Sequence, residues 1–293
     1  MKKILFILLL AAFLINCGTN PNNNNRDNSR QLRTTNYNII VLLDLSDRIL
    51  DGNQYKKDID IIKTVLELFE NNQLGRLPNS KDIFTIAIAP QKDSKIDDSQ
   101  FNLSINMKGL SGSEFKTQKN KLLDDIKSLY EQAHAEAREK NPTGADIYGF
   151  FKNRLETHLK PSTRDDSFRN KMVILTDGYL AFDASINRPK GTCVSYDELN
   201  LLRNKTDWQK VYSEKKMGLQ SFPIDTKDLD ILMLEVAPKD PQVNINEMDI
   251  LKKIWTNWFE DLGIYETEIL QQEGQIQSIK NKILEFLEKK KHW

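Results

Sequence analysis

From Asn38 onward the chain alternates short, almost wholly apolar runs with longer stretches in which apolar residues recur every three or four positions. The short runs, such as Ile39-Ile40-Val41-Leu42-Leu43 and Met172-Val173-Ile174-Leu175, predict strands over 38–43, 83–89, 172–176, 229–236 and 264–270. A run that is apolar at every position suits a strand covered on both faces, the environment of a parallel sheet. One segment differs: 101–107 alternates strictly between apolar and polar residues, which predicts an edge or antiparallel strand.

Between these runs Ile59, Ile62, Leu66 and Phe69 share one helical face after Gly52, and Leu122, Ile126 and Leu129 share another within 114–140. Helical spacing also covers 147–159, 196–212, 247–262 and 276–290. Strands that alternate with helices predict an α/β fold: a doubly wound, mostly parallel central sheet with helices on both faces and one antiparallel edge strand. Residues 179–228 are too many for a simple connection, so they predict either an elaborated loop with its own helix or an insertion at one end of the sheet.

The first residues follow another pattern. Met1-Lys2-Lys3 and the apolar run from Ile4 to Ile15 read as an export signal over 1–16, shorter than the roughly 20 apolar residues a bilayer span needs. Leu14-Ile15-Asn16-Cys17 resembles the lipobox of bacterial lipoproteins, although Asn16 stands where that family prefers glycine, alanine or serine. The resemblance implies a lipid anchor on Cys17 and a place in the bacterial cell envelope, on the outer membrane or the periplasmic face. The polar stretch over 17–35 predicts a disordered tether, leaving 36–293 as the folded domain.

Charge narrows the partners. The 42 basic residues balance 42 acidic ones and the basic cluster of note is 289–291, so no phosphate-tracking surface is visible and nucleic acid is excluded as the expected partner. With Cys17 lipidated only Cys193 remains of 2 cysteines, and no internal disulfide can form.

In a doubly wound sheet, ligands bind beyond the carboxyl ends of the strands. Asp44, Ser46 and Asp47 follow the first strand, Thr176-Asp177-Gly178 follows the strand ending at Leu175, and the polar stretch 141–146 precedes a helix. Such hard oxygen donors suit magnesium, manganese or calcium. Together these motifs resemble the von Willebrand factor A domains, whose adhesion site combines Asp-x-Ser-x-Ser, a threonine before a later helix and an aspartate in a Thr-Asp-Gly-like turn. The resemblance implies Mg2+ or Mn2+ held by Asp44, Ser46, Thr143 and Asp177, with Asp47 and Asp146 as substitutes. It also implies a protein partner that completes the ion's shell with an acidic side chain. This chain departs from the pattern twice: Arg48 replaces the second serine, and aligning the helix on Asp146 puts Ala145 at the threonine position. The expectation for Arg48 is that it pairs with Asp177 or Asp44 and partly replaces the metal.

Enzyme motifs are weaker. Haloacid-dehalogenase-like phosphatases also place an aspartate after the first strand, here Asp44, but need a second two residues on, where Ser46 stands. Phosphate-loop, dinucleotide and serine-hydrolase motifs do not occur. His134, His158 and His292 lack metal-ligand spacing, and Trp255, Trp258 and Phe259 fit a helix packed on the sheet. The expected function is thus a membrane-anchored, non-enzymatic binding module. The alternatives are a hydrolase of the phosphatase type using Asp44, and a metal-free A-type domain that binds through 179–228.

Overall fold

A computed structural model describes residues 35–73, 80–91, 94–96, 98–139, 144–180, 195 and 197–289. Its centre is a sheet of six strands in the order β3-β2-β1-β4-β5-β6. These are β1 (Thr35–Leu43), β2 (Ile83–Ile88), β3 (Ser104–Asn106), β4 (Ser167–Leu175), β5 (Leu229–Val236) and β6 (Thr267–Gln271). All neighbours run parallel except β3, which pairs antiparallel with β2 at the edge. The doubly wound, mostly parallel sheet is therefore present, with its antiparallel strand where the alternating pattern put it.

The apolar runs form central strands because both of their faces are covered. Ile40, Leu42, Met172, Ile174, Ile231 and Met233 point into one core, and Ile39, Val41, Leu43, Val173, Leu175, Leu232 and Leu234 into the other. This is the period of two expected of pleated strands. The second core is closed by α1 (Gln54–Gln73), α2 (Gly112–Glu139) and α8 (Ile276–Glu288), through residues such as Leu66, Ile126 and Ile283. The first is closed by α3 (Ile147–Asn153), α4 (Leu155–His158), α5 (Asn200–Arg203), α6 (Trp208–Glu214) and α7 (Glu247–Asp261). In α7, Trp255, Trp258 and Phe259 are buried as helical spacing implied; Trp258 lies 5.0 Å from Phe151 and 5.6 Å from Trp255 between ring centres.

Several expected elements are shorter or divided. The edge strand spans three residues, because Asn102 N bonds to the Asp125 carboxylate instead of a strand partner. The helix expected over 147–159 breaks at Arg154, whose φ of −126° leaves the helical range while its N–H still reaches the Phe150 carbonyl. The one expected over 196–212 becomes α5 and α6, separated by Asn204, Lys205, Thr206 and Asp207. Three of those four residues have side chains that favour turns over helix interiors. Residues 197–228 are packed rather than loose: Leu199, Leu202, Trp208, Tyr212 and Leu219 enter the first core. Among the described residues no helix is long and apolar enough to cross a membrane.

Candidate functional site: the carboxyl-edge crevice

The strand order reverses between β1 and β4, which opens a crevice at their carboxyl ends. Pairing runs to Leu43 and Leu175, and the next residues continue it: Asp44 N donates to the Leu175 carbonyl at 3.0 Å and Thr176 N to the Leu234 carbonyl at 3.2 Å. Asp44 is thereby held in a buried position with fixed bonds. Its Oδ1 accepts from Ser46 N at 2.9 Å, and its Oδ2 accepts from the Thr176 hydroxyl at 2.8 Å. The Thr176 oxygen in turn accepts from Gly178 N at 3.1 Å, so one hydroxyl ties both strand ends together.

The Thr-Asp-Gly turn depends on its glycine. Gly178 has φ +92°, a conformation other residues adopt at a cost, and a Cβ there would meet Val236 Cγ1 at 2.9 Å. Trp255 Nε1 donates to the Gly178 carbonyl at 2.9 Å, fastening the turn to α7. Asp177 follows Thr176 into the crevice. Its Oδ1 accepts from Tyr179 N at 3.1 Å, and its carbonyl takes the Ala237 N–H at 3.0 Å.

Two carboxylates therefore share a crevice walled by protein. Burial, and next the negative charge of Asp44, push the Asp177 carboxyl up to about 7. Asp44 is likewise raised by burial, against the pull of Arg48 and of its own hydrogen bonds.

Arg48 does not pair with the side chain of Asp44 or Asp177 as expected. Its guanidinium forks onto Asp58 of α1, Nη1 to Oδ2 at 2.6 Å and Nη2 to Oδ1 at 3.0 Å, and touches Asp44 only through the backbone carbonyl at 3.2 Å. The physical reason is that Asp58 is fully buried and would be an uncompensated charge without the fork. Tyr130 OH also donates to Asp58 Oδ2 at 3.0 Å, and Gln54 Nε2 bridges Asp58 and Glu235 at 2.9 and 3.2 Å. Glu235 sits at the irregularity between β5 and β6 with φ +71°, and pairs with Lys57 at 2.7 Å. This buried polar network anchors the 3₁₀ turn Asp47–Leu50 that carries Arg48.

Of the other predicted residues, only Ser46 joins the Asp44–Asp177 pair among those described. Ser46 is buried beside Asp44, whereas Asp47 is exposed and lies 3.9 Å from Lys239 Nζ. Asp146 caps α3, accepting from Gly149 N at 2.7 Å, and Ala145 forms an isolated bridge with Gln91. Thr143, Cys17, Cys193 and His292 lie outside the described residues. His158 rests 5.1 Å from the Phe150 ring and His134 5.8 Å from Tyr55, both as ring contacts. Among the described residues no three His, Cys, Asp or Glu side chains form a metal-sized group. The fit to a divalent cation is partial. The Thr176 and Ser46 hydroxyls both bond to the Asp44 carboxyl, so Asp177 is the donor best able to turn toward an ion.

Sequence reasoning missed Thr176 as a site residue, and missed Asp58, Gln54, Tyr130, Glu235, Tyr179 and Lys239. Glu235 was signalled as an acid inside an apolar strand run; Thr176 was signalled by lying directly between the strand and Asp177. The rest needed the packing of distant helices. Comparison with protein-family models and with curated proteins gives no match, so the resemblance to von Willebrand factor A domains rests on the motifs quoted above.

Proposed function

We propose that the carboxyl edge of the sheet is a ligand-binding face and that the protein is a non-enzymatic binding module, anchored in the bacterial cell envelope through Cys17, that engages a protein partner. The observation that carries this reading is the pair Asp44 and Asp177, gathered at the reversal of strand order and fixed by Ser46, Thr176 and Tyr179. Rigid, converging polar groups at such a point are what ligand sites in doubly wound sheets share. The hydrolase alternative finds less support, because Ser46 rather than a second carboxylate stands two residues past Asp44, and its hydrogen-bond partners, Ser46 and Thr176, supply neither a general acid nor a general base. Anchoring is tested by Cys17→Ser: the variant is expected in the soluble fraction, and retention with the membrane would contradict the anchor.

A second reading is favoured by the raised carboxyl of Asp177: Mg2+ or Mn2+ would relieve the repulsion between two neighbouring acids. Asp44, Ser46 and Asp177 would hold the ion, which would offer a coordination position to an acidic partner side chain. Arg48 opposes it by contributing a fixed positive charge beside the Asp44 carbonyl. Calorimetric titration of magnesium and then manganese into the full chain, with Asp177→Ala as control, tests this. Heat lost in the variant supports the ion; no heat in either folded protein removes it and leaves a metal-free binding face.

A further inference from the structure

The crevice already meets a cation supplied by the chain itself. Lys239 lies two residues past Ala237, which is bonded to the Asp177 carbonyl. Its Nζ is 3.9 Å from Asp47 Oδ2 and 5.3 Å from the centre of the Tyr179 ring, and its charge acts on Asp177. The backbone fixes this arrangement, since Lys239 N donates to the Tyr179 hydroxyl at 3.2 Å, and that hydroxyl donates to Glu247 Oε1 at 2.7 Å. Carboxylates beside an aromatic face are the surroundings that receive an ammonium or guanidinium group.

The internal occupant is open to solvent. The Lys239 and Asp47 side chains remain 42% and 48% exposed, and an ion pair so open to solvent contributes little. Around it, loops of the same edge carry large apolar side chains into water: Val243 is 71% and Ile245 78% exposed between β5 and α7, and Leu50 closes the 3₁₀ turn at 39%. Exposed apolar side chains on the loops beside a polar site offer area that a protein partner can bury.

We propose that this edge docks a protein segment presenting a lysine or arginine flanked by apolar side chains, the partner's cation taking the place of Lys239 between Asp47, Asp177 and the Tyr179 ring. Charge complementarity selects this occupant. Arg48 is engaged by Asp58, so among the described residues of this edge the exposed Asp47 and Asp51, with the charge that the buried Asp44–Asp177 pair retains, give an acidic excess over Lys239. An acidic partner would meet that excess directly. The inference rests on the carboxyl edge being the binding face and adds the partner's charge to it.

The test is fluorescence anisotropy with the full chain and labelled twelve-residue peptides, identical but for a central lysine, arginine, norleucine or glutamate flanked by leucine and valine. In EDTA, the lysine and arginine peptides are expected to bind at least about tenfold more tightly than the other two. Asp177→Asn and the double variant Val243→Ser, Ile245→Ser should each weaken them about tenfold. Lys239→Ala should tighten them about threefold, because a competing internal cation is gone. Thermal unfolding of each variant confirms that it is folded. Preference for the glutamate peptide, dependent on added magnesium and lost in Asp177→Asn, would overturn the partner's charge and leave the binding face standing. Lysine-peptide binding that ignores both variants would place it elsewhere and overturn the proposal. Binding of no peptide in either condition would overturn the proposal and the binding face together.

Discussion

The two edges of the sheet bury charge in opposite ways. At the amino edge, Arg169 Nη2 lies 2.6 Å and Lys171 Nζ 3.4 Å from one oxygen of Asp230, so two cations share one anion. The surplus positive charge is absorbed by the chain. Lys171 Nζ donates to the carbonyls of Phe286 and Lys289 at the carboxyl end of α8, where a cation complements the helix dipole, and it lies 4.8 Å from the Phe286 ring. Nearby, the Asn38 and Asn170 amides bond to each other at 2.8 Å and to the backbone of His158 and Lys160. At the carboxyl edge the Arg48–Asp58 fork also closes, but the second carboxylate, Asp177, lies half-buried beside Asp44, and the lysine whose charge acts on it, Lys239, keeps its side chain 42% exposed. Buried charge alone therefore does not mark a binding site. The two edges differ in how exposed the balancing cation is: the Lys171 side chain is fully buried, whereas that of Lys239 is 42% exposed.

The comparison can be broken most forcefully at its closed pairs. Arg48→Met leaves Asp58 buried with no counter-ion, and urea unfolding should show a loss of about 3–5 kcal/mol. Adding Asp58→Leu should restore part of that, since an apolar pair removes the unpaired charge but leaves the Tyr130 hydroxyl without its acceptor. If Arg48→Met alone cost nothing, the fork would not be anchoring the turn.

At the amino edge, burial pulls the Lys171 ammonium down to about 8 from an ordinary 10.5, despite Asp230. Below pH 8 both folded and unfolded chains hold the proton and the burial cost is present in full. Between about pH 8 and 10.5 the unfolded chain keeps a proton that the folded chain has shed, so stability should rise with pH, by up to about 3 kcal/mol. Lys171→Met should flatten that rise, measured by unfolding at several pH values.

Smaller effects sharpen the carboxyl edge. Tyr179→Phe removes the hydrogen bond to Glu247 and the acceptor of Lys239 N, while Arg203 Nε stays at 2.7 Å from Glu247, so a loss of about 1–2 kcal/mol is expected. Lys239→Ala should change unfolding stability by less than about 0.5 kcal/mol, in contrast to its expected effect on binding.

What the sequence displayed follows the reach of each physical signal. Strand and helix identities were legible because the apolar period is set locally: Ile39 through Leu43 and Met172 through Leu175 are buried on both faces as their composition required. Asp44 and Asp177 were legible as neighbours because topology alone brings the ends of β1 and β4 together. Arg48 was misassigned because its partner lies on α1, and no local rule says that Asp58 points under the turn. The break at Arg154 was hidden for another reason: its N–H keeps its bond to the Phe150 carbonyl, so the apolar spacing continues across it.

The most direct test of an edge left open for a ligand is the unfolding free energy of Asp177→Asn against the unaltered chain from pH 4.5 to 8, in EDTA. A carboxyl raised to about 7 from an ordinary 3.8 is protonated in the folded state at acidic pH, and its stabilising contribution is lost as pH climbs through 7. The variant is therefore expected to be about 1–3 kcal/mol more stable than the unaltered chain at pH 8, with the advantage shrinking toward pH 4.5. A variant less stable at pH 8 would mean that the chain itself satisfies the Asp177 carboxylate, and the two edges would then be closed alike.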